Sequence, residues 1–167
     1  MLAAPAMAKK KYVPQRNDYT FKTKVFATDD NEGSMIADSI ITYAKNKRGT
    51  IKFVSYTQPL DTNQWRGFGD IEEKDINFDG VPDLQICLGP TNTWGGFTYD
   101  AYVWDNKKHG FVHIENYDEI LDPVLYPNDN RIIGTLRIDN DIDTSVYEWQ
   151  QGKLVLIEQS RDKYPTD

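Results

Sequence analysis

Apolar and polar residues alternate along most of this chain with the period of a β-strand, and no long stretch carries helical period. Tyr19 to Thr28 alternates through Phe21, Lys22, Thr23, Lys24 and Val25. Thr50 to Tyr56 reads as a clear strand, and so does Asp83 to Leu88. Phe97, Tyr99, Ala101 and Val103 fall on one face of the next strand, because successive strand side chains point to opposite sides. After a turn at 105–110, Phe111 to Ile114 returns along it. Arg131 to Ile138, Thr144 to Trp149 and Leu154 to Gln159 follow.

Between these runs lie polar, glycine-bearing turns at 29–33, 45–49 and 150–153, and an acidic turn from Asp139 to Asp143. Met35, Ile36, Ile40, Ile41 and Tyr43 fit either a short helix or an irregular strand. The turn at 45–49 leads straight into a strand, which favours a hairpin. Pro59 to Asp70 is expected to be a loop carrying Trp65 and Phe68, Glu72 to Pro82 a second, acidic loop, and Glu119 to Asn130 a proline-bearing connection. Short strands joined by polar turns predict an all-β protein with little helix: a single antiparallel β-domain built as a meander, sandwich or partly open barrel.

With 167 residues, the chain is long enough to bury one real core. At 39% hydrophobic and 27% charged it has the composition of a globular protein. The formal net charge of −7 disfavours nucleic acid and anionic membrane surfaces as partners and suits a monomer. No apolar run approaches the length of a membrane span. The one cysteine, Cys87, sits in a strand pattern and reads as a small buried hydrophobe. Ala6-Met7-Ala8 fits the cleavage site of a secretory signal peptide. Residues 1–17 are therefore read as a signal-peptide remnant and flexible tail, 18–167 as the β-domain, and the protein as exported, periplasmic or extracellular.

One stretch carries chemistry. In Asp75-Ile76-Asn77-Phe78-Asp79-Gly80-Val81-Pro82-Asp83-Leu84, oxygen-bearing side chains occupy positions 1, 3, 5 and 9 and glycine position 6. That is the spacing of a tight loop that wraps a calcium ion, with the Val81 carbonyl as a main-chain ligand. Three carboxylates held a few ångströms apart repel by several kcal/mol in total at a near-surface dielectric, where one pair at ~4 Å costs about 4 kcal/mol. A structural Ca2+ would offset that. The loop is not an EF-hand, because Ile86 stands at position 12 and a strand follows.

Asp-x-Asn-x-Asp-Gly-x-x-Asp-Leu running into a strand resembles the calcium loop of FG-GAP repeats. By that resemblance Asp75, Asn77, Asp79 and Asp83 are side-chain ligands and Val81 a main-chain one. The loop occurs once, which argues against a whole propeller. It is followed by a glycine-rich loop and then by Tyr99-x-x-Tyr102-x-Trp104-Asp105. This order resembles exported calcium-loop proteins related to the immunity proteins of bacterial type IV killing systems. Some of those proteins inhibit lysozyme-like peptidoglycan hydrolases.

A partner surface is expected at Trp94, Gly95, Gly96, Phe97 and Tyr99, where glycines admit a close backbone approach and aromatics supply rigid contact area. The reading that follows is a non-enzymatic calcium-binding β-protein, an inhibitor or immunity protein against a peptidoglycan hydrolase. The alternative is a carbohydrate or cell-surface binding module using Trp65, Trp94 and the tyrosines, with the calcium structural. No arrangement of Ser, His and Asp suggests a nucleophile, and His109 and His113 are too far apart on a strand to share a metal. Asp139, Asp141 and Asp143 lack a following glycine and are expected to be solvated turn residues.

Overall fold

A computed structural model describes residues 12–64, 67–91 and 96–163. Three antiparallel meanders follow one another along the chain. The first pairs β1 (Thr20–Asp29), β2 (Met35–Asn46) and β3 (Gly49–Asp61) in that order. The second orders β4 (Ile71–Lys74), β5 (Asp83–Pro90), β6 (Phe97–Asp105) and β7 (Gly110–His113) side by side. The third holds β8 (Val124–Tyr126), β9 (Arg131–Ile138), β10 (Asp141–Gln150) and β11 (Lys153–Lys163). The only helical pieces among the described residues are single 3-10 turns at Arg16–Asp18, Tyr117–Glu119 and Pro127–Asp129. None of these is long or apolar enough to cross a membrane. The all-β antiparallel architecture expected from the alternation is present.

The middle sheet is covered on both faces, and β5 shows it best: every residue from Asp83 to Gly89 is buried. Leu84, Ile86 and Leu88 point to the first sheet and pack with Ile40 and Tyr102. On β6 the alternate residue Ala101 points the other way. It joins Ile76, Ile114, Tyr117, Ile132 and Tyr147 against the third sheet, with Tyr99 and Val103 packed alongside. Burial on both faces extends to the polar positions of β5, so Asp83 and Gln85 are as buried as Leu84 and Ile86. Close approach between layers requires glycine at position 89. There a Cβ would stand 2.6 Å from Leu60 Cδ2, and φ is +87°.

Four expectations are corrected. β3 runs on through Pro59 and Leu60 to Asp61, where a loop was expected, with Leu60 opposite Ala37. The register slips between Ala37 and Ser39, and Pro59 lies in that irregularity, where a missing N–H costs no ladder bond. Glu72 to Lys74 belong to β4, so the acidic loop proper begins at Asp75. The proline-bearing connection contains the short strand β8, whose three residues are too few to show a period. The acidic turn is only Asp139–Asn140. Asp141 and Asp143 lie inside β10 opposite Lys163 and Arg161, whose cations answer them at 2.5 Å each.

Arg16 falls within the residues expected to be tail, yet it is buried. Its guanidinium lies over the rings of Phe21 and Phe111, donates from Nε to the Pro82 carbonyl, and pairs with Glu73 at 2.6 Å. It therefore fastens the entry of the chain to the residue just before Asp83.

Candidate metal loop and partner surface

The loop from Asp75 to Asp83 leaves β4 and enters β5, so both ends are anchored in the middle sheet. Its first half winds on itself through carboxylates accepting backbone N–H groups. Asp75 accepts from Asp79 at 3.0 Å and from Gly80 at 2.9 Å, one through each oxygen. Asn77 Oδ1 accepts from Asp79, and Asp79 Oδ1 accepts from Val81 at 2.9 Å. Gly80 stands at φ +83° with nothing within 4 Å of the place a Cβ would take, so it is the backbone angle rather than crowding that calls for glycine. Phe78 shares that left-handed region at φ +62°, and its ring packs against the core around Ile76.

Asp83 behaves differently from the other acids. It is wholly buried, and three backbone donors converge on it. Oδ2 accepts from Ile76 at 2.9 Å and Asn77 at 3.3 Å, while Oδ1 accepts from Trp104 on β6 at 2.8 Å. Burial pushes its carboxyl up to about 6; the three N–H donors pull the other way, and Asp79 adds repulsion. Val81, the expected main-chain ligand, packs against the cluster of Tyr19, Ala44 and Trp104.

The donor chemistry of the loop fits a hard cation, since every expected ligand is an oxygen and a carboxylate that accepts N–H bonds keeps further lone pairs. Among the described residues, however, no three Asp, Glu, His or Cys side chains are gathered as a metal-holding group. The backbone bonds described above, not a shared centre, hold Asp75, Asn77, Asp79 and Asp83 in place.

Of the expected partner residues, Trp94 and Gly95 lie outside the described residues, and so does Trp65. Gly96, Phe97 and Tyr99 are described. The loop that carries them is closed at its base by the Thr91 N–H bonding the Gly96 carbonyl at 3.1 Å. Gly96 is buried, with Leu121 Cδ2 3.3 Å from where its Cβ would stand. Phe97 N–H donates to Asp122 Oδ1, which ties the loop to the connection before β8. Tyr99 packs into the core instead of facing outward, and burial pushes its hydroxyl up to about 12.

Two arrangements were not legible in the sequence. The first is a polar knot between the first two sheets: Asp100 accepts Ser55 Oγ at 2.5 Å and Tyr102 OH at 3.2 Å, and His113 Nε2 lies 2.6 Å from its other oxygen. The acid stands between the hydroxyl and the imidazole, so the histidine does not touch the serine and the order of a hydrolase triad is absent. The second is a groove between the β6–β7 and β10–β11 hairpins, in two adjoining parts of about 350 and 580 Å³. Both parts are lined by Val103, Val112, Trp149 and Gly152, and the larger reaches Asn77 and Asp79 of the loop. The Trp149 ring is fixed there by Nε1 donating to the Ile76 carbonyl at 2.8 Å.

The fold defines an all-β protein of three consecutive antiparallel sheets. Its architecture is similar to that of a solved Xanthomonas type IV secretion system related protein. The TM-score is 0.58 at 19% sequence identity, over 87% of this chain and 78% of that one. No family model matches the chain. No curated protein matches it either.

Proposed function

We propose that this chain is an exported, non-enzymatic protein that binds a protein partner, acting as an inhibitor or immunity protein against a peptidoglycan hydrolase, with a structural calcium ion in the loop Asp75–Asp83. The observation that carries the reading is the architectural similarity to the Xanthomonas type IV secretion system related protein. The spacing of the oxygen-bearing residues and the resemblance to immunity proteins point the same way. The partner surface is the loop between β5 and β6. It springs from the strand that Asp83 begins, its base is closed by the bond between Thr91 and Gly96, and its sequence supplies Trp94 as an aromatic anchor. Calcium would supply positive charge beside carboxylates, one of which is fully buried.

The test mixes the purified protein with lysozyme-type and lytic enzymes from competing bacteria and follows cell-wall hydrolysis. Inhibition of at least one enzyme, lost in Trp94→Ala, is the expected result. Unchanged rates against every enzyme tried would remove the inhibitor reading. A second reading, a carbohydrate or cell-surface binding module, is favoured by the groove that holds Trp149, since a fixed indole beside amide and carboxylate groups suits a sugar. Binding to cell-wall oligosaccharides in the absence of any protein would select it.

A further inference from the structure

We propose that the free edge of β11 pairs with the same edge of a second copy of this chain, joining two four-stranded sheets into one of eight strands. This stands apart from the partner loop, which lies between β5 and β6 of the middle layer. It departs from the monomer expected from net charge alone.

The sheet edges of this fold are not alike. An open edge is a template for pairing, and proteins blunt such edges with charge, proline or shortness. β1 carries Lys22 and Lys24, and β3 carries Lys52 and Pro59. β4 and β7 have four residues each, and β8 has three. β11 has eleven residues and stands at the end of its sheet. Among the described residues, no backbone bond reaches it from anything but β10. Its second half is guarded, with Arg161 and Lys163 held by Asp143 and Asp141. Its first half carries no charge between Lys153 and Glu158 and only the bulge at Ile157 as a guard: Leu154-Val155-Leu156-Ile157 is an uninterrupted apolar run, and Val155, Leu156 and Ile157 are 37%, 43% and 38% exposed.

The outer face of the sheet continues this run. Val124, Ile133 and Val146 stand opposite one another in register, on the side away from Ile132 and Tyr147; Val124 is exposed, Ile133 half-buried and Val146 buried. The row reaches β11 at the bulge, where Val146 faces Glu158 with Ile157 beside it. An apolar row therefore ends at an unpaired strand.

Charge selects the occupant and its register. With a two-fold axis through Leu156, an antiparallel copy sets Leu156 beside Leu156, Val155 beside Ile157 and Lys153 beside Gln159. No like charges meet in that register. Sliding the axis to Glu158 would set Glu158 against Glu158 and Lys153 against Lys163, which cross-strand repulsion disfavours. The two-fold keeps inward residues inward, so the core face of each sheet stays covered by its own middle layer. The charge of −7 on each copy opposes association, so the dimer tightens as salt screens it.

Sedimentation or light scattering over a wide range of protein concentration tests this. The wild-type chain is expected to show a monomer–dimer equilibrium, tighter at high salt. Val155→Lys places two charges in the seam, on a side chain outside the core clusters, and is expected to weaken the dimer at least about tenfold, roughly 1.4 kcal/mol. Val124→Lys, on the far edge of the same sheet, is expected to leave it unchanged; circular dichroism shows whether both variants fold. A monomer at every concentration overturns the proposal. So does a dimer that Val155→Lys leaves intact, one that salt loosens, or one that Val124→Lys weakens equally, since that would be unspecific adhesion of the face.

Discussion

Asp83 and Trp104 are joined across the middle sheet by a 2.8 Å bond from the Trp104 N–H to Asp83 Oδ1, while the other oxygen of the same carboxylate gathers Ile76 and Asn77. One buried side chain thus fixes both the acidic loop and the strand beside it. Removing it would strand three N–H donors, two of them on buried residues, at about 1–3 kcal/mol for each donor left unsatisfied. Relief of the buried charge offsets part of that loss. Asp83→Ala is expected to lose about 3 kcal/mol or more in urea unfolding, whether or not calcium is present. Asp83→Asn keeps one acceptor and is expected to lose less. A loss under 1 kcal/mol in Asp83→Ala would show that the bonds carry little of the fold's stability.

Calcium binding has a signature of its own. An ion that binds only the folded state adds stability by mass action, about 1.4 kcal/mol when its free concentration is ten times the dissociation constant. Melting is expected to shift upward with calcium and return with chelator, and Asp75→Ala is expected to abolish the shift while the protein still folds. Identical melting curves in both conditions, with no calcium found by elemental analysis, would end the metal proposal.

Much of the fold could be read from the chain because one face of most strands is half-buried, and the period shows it. Arg131–Ile138 falls where alternation puts it, and β6 presents Tyr99, Ala101 and Val103 to one core as its pattern says. What the pattern could not give was the layering. β5 is buried on both faces because two other sheets cover the middle one, and those contacts link residues such as Ser55 and Asp100 that lie far apart in sequence. The same limit hid the groove, whose walls come from two distant hairpins. The acidic loop was legible because its donors are local. The different role of Asp83 was not, since its key partner, Trp104, belongs to another strand.

Gly89 holds the first two layers together by being small. Its φ of +87° is strained for any other residue, and a Cβ would fall 2.6 Å from Leu60 Cδ2 and 3.3 Å from Phe68 Cδ2. Gly89→Ala combines backbone strain with overpacking, each of order 1–3 kcal/mol. Thermal unfolding is expected to drop by several degrees. An unchanged melting temperature would mean that the layers separate freely at this point.

The attachment of the first described residues responds to pH through Asp18. Its carboxylate accepts the Tyr12 hydroxyl at 2.6 Å and the Gln15 N–H at 2.9 Å, and these bonds hold it below the ordinary 3.8. A depressed acid contributes stability that is complete above its unfolded pKa and is lost as pH falls through the folded one. The Gln15 amide resonance is therefore expected to titrate with a midpoint below 3.8, and Tyr12→Phe to move that midpoint upward. A midpoint unmoved by Tyr12→Phe would show that the hydroxyl bond does not form in solution.

Trp149 links the third sheet to the acidic loop. Its Nε1 donates to the carbonyl of Ile76, whose own N–H is held by Asp83, so a single residue of the loop is gripped from β10 and from β5. Trp149→Phe keeps most of the apolar ring and deletes the donor, which leaves the Ile76 carbonyl without that partner at a cost of about 1 kcal/mol. The hairpin of β10 and β11 should survive, because its backbone ladder does not involve the indole. The loop should become easier to deform, and the calcium concentration needed for half of the thermal shift is expected to rise severalfold. If the melting temperature falls while the calcium midpoint stays fixed, Trp149 supports the fold alone, and the loop is held by Asp83 without help from the third sheet.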